Sequence, residues 1–255
     1  MIPSMADRLF DLTGKVVLVT GGSRGLGKEI ALGCAQMGAD VVIASRKYEN
    51  CVQAAQDLET ATGRHALPYA AHIGRWDELD GLVSAAYGRF GKVDVLVNNA
   101  GMSPLYGELS SISEQLFDSV INVNFKGPFR LSALVGERMI TDGGGSIVNV
   151  SSTGSVRPNP SIIPYAAAKA ALNSMTEGLA QALGPTVRVN TLMSGAMMTD
   201  VAKAWSPETK ASSGKRVALG RIGEPHEVVG AALYFASDAS SYTTGATLRI
   251  DGGIP

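Results

Sequence analysis

Short runs of apolar, β-branched residues recur along this chain, with helix-patterned stretches between them. The runs are Lys15–Thr20, Val41–Ser45, a weaker one at Ala66–Ala71, then Val93–Val97, Ser146–Val150, Val187–Leu192 and Ala246–Ile250. Their apolar positions are continuous rather than alternating, as in strands buried on both faces of a parallel sheet. Helices are predicted over Gly25–Met37, Tyr48–Ala61, Trp76–Phe90, Ser113–Ile140, Ile163–Leu183 and Pro225–Ala236. This βαβα rhythm winds into one seven-stranded parallel sheet with helices on both faces, a doubly wound α/β fold. No Ser/Gly/Pro-rich linker, repeat or low-complexity tract interrupts it, so residues 1–255 read as a single domain.

In such sheets ligands bind beyond the carboxyl ends of the strands. The first strand runs into Thr20-Gly21-Gly22-Ser23-Arg24-Gly25-Leu26-Gly27, the fourth into Asn98-Asn99-Ala100-Gly101, the fifth into Ser151-Ser152, and the sixth into Ser194-Gly195 and Thr199. Glycines Gly21, Gly25 and Gly27 permit a tight turn and close backbone approach to a pyrophosphate. The helix that follows offers free N–H groups and a positive dipole end to that anion. The second strand ends Ala44-Ser45-Arg46-Lys47. A carboxylate there would hydrogen-bond an adenosine ribose and select NAD; instead Arg46, with Arg24 and Lys47, suits a 2′-phosphate fork. The expected cofactor is therefore NADP(H), with NAD(H) the alternative.

Tyr165 and Lys169 lie four residues apart on one face of a predicted helix, with Ser152 thirteen positions upstream of the tyrosine. An ammonium near a phenol favours the phenolate, so Lys169 is expected to lower the Tyr165 pKa and fit it for proton transfer near neutral pH. A serine hydroxyl beside it would bond the same substrate oxygen.

Composition narrows the classes further. With a net charge of −1, nothing suggests nucleic acid or an anionic membrane as partner. Cys34 and Cys51 show no CxxC or metal-type spacing, and His65, His72 and His226 are scattered, so neither a disulfide framework nor a metal site is expected. The first ten residues lack a basic region followed by an apolar stretch, and no apolar run approaches the ~20 residues that span a bilayer. A cytoplasmic protein is expected.

The motifs TGGSRGLG, NNAG at Asn98–Gly101, Asn124 in Val-Asn-Phe, Ser152 and YAAAK together resemble the short-chain dehydrogenase/reductase family in its compact form, over essentially the whole chain. The resemblance implies a single Rossmann-type domain and an NAD(P)(H)-dependent oxidoreductase. It implies Tyr165 as acid in carbonyl reduction and base in alcohol oxidation. Lys169 would tune Tyr165 and bond the nicotinamide ribose. Ser152 would orient the substrate oxygen, and Asn124 would hold a water in a proton relay, with Ser151 as local backbone support. On the cofactor side it implies Gly21, Ser23, Arg24, Leu26, Gly27, Arg46, Ile73, Asn99, Gly101, Tyr165, Lys169, Met197 and Thr199. Two positions depart from the family's pattern. His72 stands where an Asp usually contacts adenine. Ser194 replaces a usual proline, which frees φ, adds a donor and is expected to loosen the mouth of the substrate loop.

That loop, about residues 194–222, mixes Met197, Met198, Ala202, Ala204, Trp205 and Val217 with Lys203, Lys210, Lys215 and Arg216. Apolar anchors on such a segment suggest a lid over a moderately hydrophobic substrate, the other reading being an ordinary amphipathic helix. Arg157–Pro164 is expected to form a rigid second wall, given its prolines. The leading expectation is NADPH-dependent reduction of a small-molecule carbonyl, 3-oxoacyl-thioester reductase-like. A sugar or polyol dehydrogenase stands behind it, and a non-catalytic NADP(H) sensor is the alternative of another class. Family resemblance also implies a homo-oligomer, tetramer or dimer, through the predicted Ser113–Ile140 helix and the Tyr165 helix.

Overall fold

A computed structural model describes residues 9–203 and 206–255 of the chain. Seven strands, β1 (Val16–Thr20), β2 (Asp40–Ser45), β3 (Ala66–Ala70), β4 (Val95–Asn98), β5 (Gly145–Ser152), β6 (Val187–Ser194) and β7 (Thr247–Ile250), form one sheet in the order β3-β2-β1-β4-β5-β6-β7. Every pairing is parallel, from Val17↔Val41 and Val17↔Val95 in the centre to Leu192↔Leu248 at the edge. The principal helices are α1 (Gly25–Gln36), α2 (Tyr48–Thr62), α3 (Glu78–Phe90), α4 (Glu114–Ile121), α5 (Gly127–Thr141) and α6 (Ile163–Ala182). Short helices α7 (Asp200–Lys203) and α8 (Pro207–Lys215) lie within the expected lid, and α9 (Val229–Ala236) follows it.

The continuous apolar runs have a direct explanation. Successive side chains on a strand point to opposite faces, and both faces here are covered. Val17 and Val19 of β1 join Val41 and Ile43 of β2 in a core with Ile30, Cys34 and Phe235. Val16, Leu18, Val42 and Ala44 enter the opposite core with Leu79, Leu82, Leu131 and Val135. Each such valine, leucine, isoleucine or phenylalanine, fully buried, contributes about 1.5–3 kcal/mol. Cys34 and Cys51 are buried free thiols. The sheet order reverses between β2-β1 and β4-β5, and the crevice at that switch point is where open α/β sheets hold ligands.

Four expectations need correction. The helix predicted over Ser113–Ile140 is not continuous: a wide turn at Asn122–Lys126, with π-type bonding, separates α4 from α5. Pro128 lacks the N–H that a regular helix would donate to the Asn124 carbonyl. The helix predicted from Trp76 starts at Glu78, and Pro225–Val228 is a 3₁₀ turn with a Glu224/Glu227 capping box ahead of α9. Finally, β6 runs through Ser194, whose hydroxyl donates to the Ser151 carbonyl at 3.3 Å. The serine hydroxyl, which proline lacks, ties the mouth of the loop down rather than loosening it.

Among the described residues no helix is long and apolar enough to cross a membrane, and no three His, Cys, Asp or Glu side chains gather as a metal site would require. Of the lid anchors, Met197, Ala202 and Val217 are buried. Ala204 and Trp205 lie outside the described residues, as do the side chains of Lys203 and Lys210 and the first eight residues of the chain.

Candidate active site

A cleft of about 400 Å³ opens at the switch point, along the carboxyl ends of β1, β2 and β4. Its floor is the glycine turn. Gly21 and Gly25 adopt φ of 65° and 55°, which L side chains rarely accept. At Gly27 space is the limit: a methyl group would fall 2.4 Å from both the Asn99 amide nitrogen and the Gly21 carbonyl. Asn99 explains the crowding. Its side chain donates to the Thr20 and Gly21 carbonyls at 2.9 and 3.3 Å, and the Asn99 and Ala100 amides donate to the Thr20 hydroxyl at 3.0 and 3.1 Å. No side chain caps the start of α1, so its first N–H groups remain available to a ligand.

Gly21, Ser23, Arg24, Arg46, Ile73, Asn99, Gly101 and Thr199 line this cleft as expected, with Lys47 and His72. Ser23 bonds Ser45 at 2.9 Å, fastening the turn to the end of β2. His72 Nδ1 accepts from the Gly74 amide at 3.1 Å, which commits one ring nitrogen to the backbone. Arg24 approaches Asp200 at 3.8 Å across an exposed gap, while Arg46 makes no ion pair among the described residues. Leu26, Gly27, Met197, Tyr165 and Lys169 do not line the cleft. Leu26 packs on the core, Gly27 supports the turn from behind, and Met197 is buried in a bridge to Gly223. Sequence reasoning missed Asn50, Met102, Val123 and Asp200 as lining residues. Asn50 had a signal, lying in the first turn of the helix after β2. The donors present, a cramped glycine turn and three cations, fit the phosphates of a dinucleotide.

Beyond Gly101 the surroundings turn dry. A methyl group on Gly101 would lie 3.0 Å from Asn124 Oδ1 and 3.8 Å from Lys169 Nζ. Asn124, wholly buried in the wide turn, donates to the Val120 and Met102 carbonyls at 2.9 and 2.8 Å and accepts from the Met102 amide at 3.3 Å. Lys169 is 3% exposed; its Nζ donates to the Val150 carbonyl at 2.8 Å and stands 5.9 Å from the centre of the Tyr165 ring. Ser152 ends β5, and its Oγ accepts from the Gly154 amide at 3.1 Å. Asn124, Ser152, Tyr165 and Lys169 are thus brought together. Ser151, whose oxygens engage Lys169 and Ser194, serves the backbone.

The charge states correct one expectation. Burial raises the Tyr165 phenol above its ordinary 10, opposed by a hydrogen bond with Ser152. Burial also pushes the Lys169 ammonium down to about 8. Spacing along a helix predicted attraction between the two groups. Desolvation, which disfavours the charged form of each, outweighs it here.

A family model described as enoyl-(acyl carrier protein) reductase matches residues 21–255. Dehydrogenase/reductase SDR family member 4 of Pongo abelii is 36% identical over 258 residues, covering 100% of this chain and 92% of that protein. The 3-oxoacyl-[acyl-carrier-protein] reductase FabG of Thermotoga maritima is 38% identical over 244 residues, covering 95% and 98%. A solved gluconate 5-dehydrogenase from Burkholderia cenocepacia J2315, in complex with NADP and tartrate, superimposes with a TM-score of 0.92 at 31% identity, covering 98% of each chain. With its seven parallel strands, its glycine-turn cleft and the Ser152, Tyr165 and Lys169 side chains beside it, the chain belongs to the short-chain dehydrogenase/reductase family of oxidoreductases.

Proposed function

We propose that this protein is an NADP(H)-dependent carbonyl reductase, reversible to alcohol oxidation, and that a 3-oxoacyl thioester is its leading substrate class. The carrying observation is the group formed by Ser152 at the end of β5 and Tyr165 and buried Lys169 on α6, with Lys169 Nζ close behind Gly101 of the glycine-turn cleft. The Gly21–Gly27 turn, Ser23 and the start of α1 would hold the diphosphate, and the segment carrying Met197 and Thr199 the nicotinamide carboxamide. Arg24 and Arg46 would hold the 2′-phosphate, and Ile73, Asn99 and Gly101 the adenosine side. A bound nicotinamide supplies or accepts the hydride.

The chain's own residues handle the proton. Tyr165, already protonated at neutral pH and made a weaker acid by its burial, donates to the substrate oxygen in reduction. Ser152 bonds that oxygen and orients it. Lys169, mostly charged below about pH 8, favours the phenolate left behind. Asn124 keeps Lys169 within reach of a relay. The FabG relative supports the thioester class and the NADP-bound neighbour supports the cofactor. That neighbour also favours a second reading, a sugar or polyol dehydrogenase. Phe117, Phe129 and Ile140, exposed on α4 and α5, support a homo-oligomer, dimer or tetramer, which sedimentation would measure.

The test is a panel of ketones, oxoacyl thioesters and sugar acids assayed with NADPH and NADH by nicotinamide absorbance. Turnover of a thioester with NADPH is expected. Binding of NADPH with no turnover of any carbonyl would favour the sensor instead.

A further inference from the structure

Helix α6 carries a third polar residue in line with Tyr165 and Lys169. Asn173 follows Lys169 by four positions, as Lys169 follows Tyr165, so the three share one broad face. Asn173 Nδ2 donates to Ser155 Oγ at 2.9 Å, and Ser155 Oγ donates to the Ser152 carbonyl at 2.6 Å. A hydroxyl has one proton. Ser155 gives it to Ser152, so it must accept from Asn173, and this fixes which way the amide points. Asn173 Oδ1 is then left buried with no hydrogen-bond partner among the described residues. For stability alone an apolar side chain would serve better there, because a buried unmade bond is unfavourable.

We infer that Ser155 and Asn173 are positioning residues that hold the Ser152 turn in register with Tyr165 on α6; as a catalytic claim this rests on the reductase reading. The end of β5 meets α6 at three consecutive residues. Lys169 Nζ donates to Val150, Ser151 Oγ to the Lys169 carbonyl at 3.5 Å, and Asn173 reaches Ser152 through Ser155. Only the last of these links governs the 153–155 turn. The Gly154 amide in that turn donates to Ser152 Oγ, which leaves the Ser152 proton free for the phenol. Ser152 and Tyr165 sit on different elements, and the Asn173–Ser155 bond joins those elements one step from the reacting groups.

Ser155→Ala, Asn173→Leu and the double variant test this. Each single change should lower kcat roughly 10-fold, the scale of a small misplacement of reacting groups, and the double should lose little more than either single. The NADPH dissociation constant should stay unchanged throughout. The double variant removes both partners, so its melting temperature should recover toward wild type while its kcat does not. A second readout needs no substrate: with isotope-labelled tyrosine, the Tyr165 phenol resonance, assigned through Tyr165→Phe, should move in the direction that Ser152→Ala moves it. Wild-type kcat in the folded double variant, or an unmoved phenol resonance in all three, would overturn the inference. If the wild-type protein reduces no carbonyl, the reductase reading fails by itself, and the resonance alone decides whether this pair positions Ser152.

Discussion

The two ends of the site work by opposite physics. Around the glycine turn the wall is open and polar, made of backbone curvature, exposed Arg24 and Arg46, and a helix start without a cap. Around Lys169 and Asn124 the side chains are almost wholly dry and each polar atom is committed to a named carbonyl or amide. One end presents charge to solvent, where interactions are screened and individually modest. The other raises the Tyr165 phenol and lowers the Lys169 ammonium by withdrawing both from water. Substitutions should therefore be graded by end: large effects on turnover at the dry end, smaller effects on cofactor affinity at the wet one.

Tyr165→Phe should produce the largest effect, a fall in kcat of roughly 10²–10⁴-fold with NADPH affinity retained, read by steady-state kinetics and cofactor fluorescence. If affinity fell in parallel, the two ends would not be separable.

Lys169→Met should follow, with kcat lower by roughly 10²-fold and a distinctive pH signature. The folded-state pKa of Lys169 is about 8, below its ordinary 10.5. The unfolded chain thus binds more protons between those values, and this group's contribution to stability rises with pH across that window. Below pH 8 the burial penalty is present in full. Methionine has no such penalty, so the melting temperature of the variant minus that of wild type should be greatest below pH 8 and shrink toward 10.5. A constant difference would show that the amine is not desolvated.

Gly27→Ala forces a methyl group against Asn99 and the Gly21 carbonyl. It should destabilise the fold by about 1–3 kcal/mol and weaken cofactor binding, measured by denaturant titration and fluorescence. Arg46→Ala should raise the Michaelis constant for NADPH by about 10-fold, as expected for one charge-assisted contact. NADH should be little affected, and the difference should shrink at high salt. An unchanged NADPH constant would remove Arg46 from the phosphate fork.

Much of this is legible in the residues alone. Continuous Val/Ile/Leu runs revealed the buried parallel strands, and the polar and glycine residues trailing those runs marked the ligand edge. Two features were harder to see. The sign of the Tyr165 shift depends on how much water surrounds the phenol, which helical spacing does not report. Pro128 was a visible warning that a helix over Ser113–Ile140 could not stay regular, but nothing local reveals that Asn124 turns inward to bond Met102 and Val120. Ser155 and Asn173 are eighteen residues apart and meet only because β5 and α6 pack side by side.

The wide turn at Asn122–Lys126 indexes two rotary shafts against each other. Its i→i+5 bonding takes up one residue more than a regular turn, and forcing the same residues into an even α-helix would twist α5 by up to about 100° relative to α4. Leu131, Val135 and Met139, now packed into the sheet, would swing outward together. At this spot the number of residues, and not only their kind, is part of what the fold specifies.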